Sequence, residues 1–286
     1  MPSFVSGRPG DMIRIYTTIH RFWFPSFIWR RLLCWIPAAL TWLKPYTFHI
    51  ALIIYWPVLL YTDSHAETLT QQYMLGALTF AFLFLATRFS PPSERRQILL
   101  IVSIATCVEL FCSMLWGIYR YRWGNVPLFV PPGHGLLYLF ALRAARTPLT
   151  MNYGRAFRRV AVGCATLWAI GGLTVEPLLL GRLDILGALL WPTFVWLMRK
   201  PSAVVFAASL FITAELELFG TGFGNWTWAA AVPVIHLSAG NPPSVIAGAY
   251  CILDVTASKA AAFLASAQIY PRWLSKLRPE IADKPD

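Results

Sequence analysis

The chain is short of charge. Of its 286 residues only 13% are Asp, Glu, Lys or Arg, while 57% are hydrophobic. Soluble domains carry roughly 25% charged residues, so a water-soluble globular fold is excluded. A mean hydropathy of +0.56 points instead to a polytopic membrane protein whose solvent is lipid. Acids are scarcer still, 13 against 24 Lys and Arg, a formal charge of +11. The basic residues come in clumps between apolar runs and build no basic face. That excludes nucleic acid as a partner and is the pattern of cytoplasmic loops. Cysteine is sparse, with Cys34, Cys107, Cys112, Cys164 and Cys251 in no CxxC spacing and nearly all in apolar segments. They read as packing residues, not as a disulfide framework or zinc site. There is no GxSxG, Walker or HExxH pattern, and the Gly220–Gly224 run follows no strand, so it is no phosphate loop. Arg8, Asp11 and Arg14 precede no short apolar core ending in small residues, so no cleavable leader is expected.

What is present is apolar sequence in blocks. Residues 1–46 mix six basic residues with Trp, Phe and Ile, which suits a helix lying in the headgroup layer. Within them 32–43 is short for a span and contains Pro37, so it is read as interfacial. Eight spans are expected near 47–62, 72–88, 97–119, 130–146, 158–180, 183–198, 201–220 and 243–268, forming an all-α membrane bundle over 47–268. A polar tail, 269–286, follows. With the N-terminus inside, the expected cytoplasmic segments hold 20 of the 24 basic residues. The positive-inside rule therefore predicts both termini in the cytoplasm, with the protein in a bacterial inner membrane and lipid as its surroundings.

The chain then repeats itself. ELFCSMLWGIYRYRWGNVPLFVPPGHG, from Glu109 to Gly135, is echoed by ELFGTGFGNWTWAAAVPVIHLSAGNPP, from Glu217 to Pro243. Each copy runs Glu-Leu-Phe, a glycine (Gly117, Gly224), two alternating aromatics (Tyr119 and Tyr121, Trp226 and Trp228), a proline and a Pro-Pro pair. Spans two to four match spans six to eight, over cores of about 72–146 and 183–268. Four spans separate equivalent positions, so the sequence predicts a parallel repeat.

Five acids fall inside or at the ends of spans: Glu109, Glu176, Glu215, Glu217 and Asp254. A carboxyl there costs several kcal/mol unless protonated, partnered or facing a cavity, which makes it a candidate functional group. The repeat selects Glu109 and Glu217 as facing carboxyls. Glu215, two residues away, points to another helix face, yet lies close enough to be a candidate for substrate contact. The alternative is that each glutamate is satisfied by a neighbouring helix or by Arg120 and Arg122. Asp254 is a candidate for the same cavity, and Glu176 reads as an interfacial carboxylate. His134 is placed to relay a proton to Glu109. No His lies at helical spacing from a Glu or another His, so no metal site is expected. Tyr119, Tyr121, Trp226 and Trp228 either belong to an interfacial aromatic belt or line a pocket whose ring faces stabilise positive charge. Asn241 and Asn125 could add amide contacts.

An isolated carboxyl in an apolar pocket favours its neutral form and can donate a proton. Aromatic walls without nucleotide or metal motifs suit acid–base chemistry on an unsaturated apolar substrate. The pattern Glu, Gly-x-aromatic-x-aromatic, Pro, Pro-Pro resembles the integral-membrane carotenoid biosynthesis proteins. These include the hydratase of the bacterioruberin pathway and, more distantly, the small membrane lycopene cyclases. The resemblance covers about a quarter of the chain. It implies an all-helical enzyme acting on a long polyene without a cofactor, with Glu109 and Glu217 as the acid and its partner. His134 after the first Pro-Pro and the basic-aromatic N-terminus depart from that pattern. Two other classes fit the same features: a small proton-coupled transporter or lipid-binding protein, and a membrane assembly protein in which the acids join helices.

Overall fold

The computed structural model describes residue 41 and residues 43–266. Most of the expected interfacial segment 1–46, the 32–43 stretch apart from Thr41 and Leu43, and the 269–286 tail lie outside these. Two compact units divide the chain, Met1–Thr47 and Phe48–Asp286. The described part of the first contains one 3-10 turn, Lys44–Tyr46.

The second unit is built from helices wherever the sequence is continuously apolar. They are α1 (Thr47–Ser64), α2 (Leu69–Thr87), α3 (Pro92–Glu109), α4 (Val130–Ala144), α5 (Pro148–Thr174), α6 (Glu176–Leu180), α7 (Ile185–Leu197), α8 (Ala203–Gly222) and α9 (Ala247–Ser266). Their starts are written locally. Thr68 and Gln71 form a reciprocal capping box on α2, and the Asp184 carboxylate caps α7 by accepting from Gly187 N at 3.0 Å. Proline opens α3, α4 and α5 in the first turn, where its missing N–H costs nothing.

Four helical stretches are long and apolar enough to cross a membrane: 69–87, 92–116, 203–222 and 247–264. Three of them are mostly unburied by the rest of the molecule, and 203–222 is the most buried, at 56%. Only 22% of the apolar window of α2 is buried against the rest of the molecule, and Met74, Leu78, Phe84 and Leu85 point outward. Such a surface is stable in hydrocarbon, where every helical backbone group is already bonded. The centre is α4, almost all of which is buried, against α2, α3 and α8. A stripe of Ala161, Ala165 and Ala169 on α5 is also buried, small residues that let helices approach closely.

Element ends differ from the expected spans. Helix α5 starts at Pro148, not near 158, and is kinked at Tyr153, whose backbone is non-helical (φ −122°, ψ 22°), so Arg155, Arg158 and Arg159 are helical beyond the kink instead of forming a loop. Glu176–Leu180 is a separate helix because Pro177 cannot continue the α5 ladder.

The all-helical expectation is corrected at one end of the unit. Strand β1 (Tyr119–Tyr121) pairs antiparallel with β2 (Trp226–Trp228), and β3 (Ala231–Val232) with β4 (Leu237–Ser238). Aromatics alternating at a period of two fit a strand, whose side chains alternate between faces. Gly117 and Gly224, at φ +76° and +77°, turn the chain from helix into strand through the left-handed region that glycine enters freely.

The two approaches to the ribbon differ by one residue. Glu109 precedes its glycine by eight positions and Glu217 by seven. The extra residue is absorbed by a π-helical stretch, Leu110–Trp116, that continues α3, whereas α8 stays α-helical to Gly222. A π turn is the form a one-residue excess takes inside a helix, and it recurs at functional sites. The ribbon is tied to the α1–α2 turn by buried Asp63, which accepts from Gln72 Nε2 (2.9 Å) and Asn225 Nδ2 (2.7 Å). Arg122 adds bonds to the Asp63, Ser64 and Ala66 carbonyls.

Candidate functional site

The strand register puts Tyr119 opposite Trp228 and Tyr121 opposite Trp226. In both strands the aromatics are buried while Arg120 and Thr227 face outward. Four rings thus form one inward face, Tyr119 and Trp228 with centroids 4.6 Å apart.

Beneath it lie the two glutamates, 5% and 2% exposed. Tyr119 and Tyr121 both donate to Glu109 Oε2 at 2.7 Å. Trp226 and Trp228 both donate to Glu217 Oε2, at 3.0 and 3.1 Å. The remaining oxygens meet groups from the early turns of the helices that follow. Glu109 Oε1 lies 2.9 Å from His134 Nε2 on α4, and Glu217 Oε1 accepts from the Tyr250 hydroxyl on α9 at 3.0 Å. The His134 and Tyr250 rings stack, with centroids 5.2 Å apart and planes 19° from parallel.

Donor chemistry locates the protons. An indole N–H only donates, so Glu217 Oε2, holding two of them, is an acceptor in either ionisation state. Burial first, and then the Glu109 carboxylate, push the Tyr119 and Tyr121 phenols far above their ordinary range. They remain protonated donors to Glu109 Oε2. In each half it is Oε1 that is left to carry or exchange a proton.

The glutamates and rings line one cavity of about 350 Å³, whose remaining wall is mainly aliphatic and aromatic. That volume lies at the lower end of small-molecule pockets, roughly 300–1,000 Å³. Ile252 on α9 belongs to the wall while 47% of its surface is exposed, so the cavity reaches the apolar outer face of the molecule. Close packing holds the walls. A Cβ on Gly220 would lie 1.9 Å from the Trp226 ring, and one on Gly133 would lie 2.9 Å from Trp56.

The structure therefore brings together Glu109, Glu217, His134, Tyr119, Tyr121, Trp226 and Trp228. It does not bring the other candidates to the cavity. Glu215 is two residues from Glu217, about 200° around the helix, and lies outside the lining. Asn241 serves the backbone, its Oδ1 accepting from Trp228 N at 2.8 Å. Asn125 donates to Gln72. Asp254 is buried one turn beyond Tyr250, below the lining. The reading in which arginines neutralise the glutamates is overturned for Arg122, which binds the carbonyls named above. His236 sits exposed between β3 and β4. Tyr250 was not legible as a site residue, although its spacing of four from Asp254 places both on one face of α9. Cys112 and Trp116 also line the cavity and carried no sequence signal. Among the described residues no cluster of three or more metal-ligating side chains occurs. No protein-family model, curated protein or solved structure matches the chain significantly.

Proposed function

We propose that this chain is a membrane enzyme that carries out acid–base chemistry on a carbon–carbon double bond of an apolar isoprenoid or carotenoid-like lipid. The observation that carries the reading is the pair of buried glutamates facing one apolar, aromatic-walled cavity, each held by three hydrogen-bond partners. The likeness to the integral-membrane carotenoid biosynthesis proteins adds a long polyene as the substrate class. In this reading the chain spans the bilayer eight times with both ends in the cytoplasm. Its two glutamate segments are then halves of a parallel repeat.

Glu109 is the acid. Its Oε1 shares a proton with an imidazole, the side chain that titrates nearest neutrality. The Oε1 proton adds to one carbon of the double bond, the π pair forms the new C–H bond, and a cation is left on the other carbon. Aromatic faces and the facing Glu217 carboxylate stabilise that charge in a cavity poor in water. Water then adds to the cation and returns its surplus proton to a carboxylate, giving net hydration. Alternatively a second double bond attacks and the cation so formed loses a proton to Glu217, giving ring closure, or the first cation loses its proton there directly, giving a shifted double bond, and neither changes the composition. The cavity admits one end of a long lipid, and the opening beside Ile252 lets the remainder stay in the bilayer.

Comparing lipids and pigments extracted from strains with and without the gene tests the proposal. A missing or accumulated isoprenoid is expected, and an unchanged profile would sink it. Proton-coupled transport is the second reading, favoured by the additional buried carboxyl of Asp254. Proton-driven uptake into reconstituted vesicles would establish it.

A further inference from the structure

Chemistry that donates a proton at one carboxyl and accepts one at another leaves the pair in exchanged states. A cavity lined by apolar side chains gives them little water with which to reset. Intramembrane polar residues in file are how proteins carry protons to such places, and three helices here present one. On α8, Ser209, Thr213 and Glu217 recur every four residues and so share a face. On α9, Tyr250, Asp254 and Ser258 do the same, and α4 contributes His134 and Tyr138.

Ser209, Thr213 and Asp254 are 3%, 0% and 6% exposed. Ser209 hydrogen-bonds to Asp254, while Asp254 Oδ2 and the Thr213 hydroxyl have no partner among the described residues. Leaving a buried polar atom unpaired costs about 1–3 kcal/mol. Helical threonines elsewhere in the chain avoid it by bonding one turn back, as Thr221 does to the Glu217 carbonyl at 2.7 Å. Thr213 does not. The titratable groups facing Asp254 are Cys251 and Tyr138, and Lys259 lies on the exposed side of α9. Beyond Asp254 the file continues through Ser258 Oγ and Tyr138 OH, 3.0 Å apart, to Gln97 Oε1 at 3.2 Å. Gln97 lies roughly 18 Å along α3 from Glu109, at 1.5 Å per residue. One turn nearer the helix start, Glu94 pairs with exposed Arg146 at 2.8 Å.

We propose that Asp254 is a proton relay joining Glu217 to the end of the helices opposite the aromatic ribbon, by way of Tyr250 and Thr213 on one side and Ser258 and Tyr138 on the other. One proton reaches Asp254 as another leaves it, in either direction, so the file keeps its charge. The relay's role in turnover rests on the acid–base reading above, but its existence is measurable without a substrate.

The test follows the infrared carboxyl and carboxylate bands of Glu217, assigned by difference from Glu217→Gln, after a pH jump on protein in lipid nanodiscs. Asp254→Asn is expected to slow the Glu217 response about tenfold or more, the scale on which a positioned proton donor acts. Asp254→Glu is expected to restore it, with the Glu109 bands unchanged. A wild-type rate in Asp254→Asn overturns the relay, as does a Glu217 band that responds to the jump in no variant. Should Asp254→Asn fail to assemble, Tyr138→Phe must slow the same response, and an unaltered rate there overturns it equally. Product formation in the same samples separates the two ideas. No product from wild type, with an Asp254-dependent response, refutes the enzyme reading alone. Product with an Asp254-independent response refutes the relay alone.

Discussion

The Glu109 and Glu217 halves of the site share a geometry and differ in chemistry. In each, a helix carries a buried glutamate, a left-handed glycine turns the chain, and two strand aromatics donate to the same carboxyl oxygen. The following helix supplies a partner for the other oxygen. Around Glu109 the two phenols stay protonated and donate to Oε2, while the third partner, an imidazole on Oε1, can give up or accept a proton. Around Glu217 two of the three are indoles, which do neither at any ordinary pH. Similar scaffolds thus meet one carboxyl with an imidazole on Oε1 and the other with a phenol, each backed by two donors on Oε2. The lesson is that the partner of Oε1, more than the position of the carboxyl, sets how each glutamate exchanges its proton.

Removing each carboxyl is the strongest challenge to that contrast. Glu109→Gln and Glu217→Gln are each expected to fold and to lose about 10²–10⁴-fold in product formation, measured by extraction from complemented strains. Full activity in both would remove the catalytic reading. The π turn comes next. Deleting Leu115, which is 80% exposed, takes out the extra residue and turns Glu109 by about 100° relative to β1. The protein is expected to keep its helical circular dichroism while losing nearly all product, whereas a variant that keeps wild-type turnover would make the bulge incidental.

A smaller effect is expected where backbone meets ring. Gly220→Ala drives a methyl into Trp226 and should cost about 1–3 kcal/mol, as overpacking does. Gly117→Ala meets nothing within 4 Å and should cost only about 1 kcal/mol for its positive φ. Thermal unfolding in detergent would rank the two, and equal losses would contradict the close packing of Trp226. Effects of similar size are expected from single donors. Tyr121→Phe and Trp226→Phe each remove one bond to a buried carboxylate, worth about 1.5–3 kcal/mol. Each donor favours the ionised form of its carboxylate, so both changes should lower turnover and move its pH profile. An unmoved profile in either would show that its carboxyl does not titrate in turnover.

Several features of the site can be read directly along the chain. Glu109 and Glu217 stand out because a carboxylate in an apolar run is costly, and the glycines and alternating aromatics advertise a turn into an extended segment. Those signals are local, lying within about ten residues of one another. Asp254 carries the same acid-in-an-apolar-run signal, but Tyr250 and Thr213 carry no such mark, since a lone polar residue in a helix has meaning only once its neighbours on other helices are known. Glu215 and Asn241 were drawn in by nearness in sequence, which a helical turn of 100° per residue and a backbone bond to Trp228 override.

Composition and hydrophobic patterning settle that the chain is mainly helical and holds helices long and apolar enough to cross a membrane, because burying or exposing an apolar run is an energy summed residue by residue. They also single out the two glutamates. Folding in three dimensions decides that tyrosines meet one carboxyl and tryptophans the other. It also decides that the two aromatic segments pair as strands, and that His134 and Tyr250 stack between the two halves. The strand pairing and the ring stack are set by contacts across more than a hundred residues, and although each glutamate meets its aromatics within twelve residues, only that pairing turns all four rings to one face.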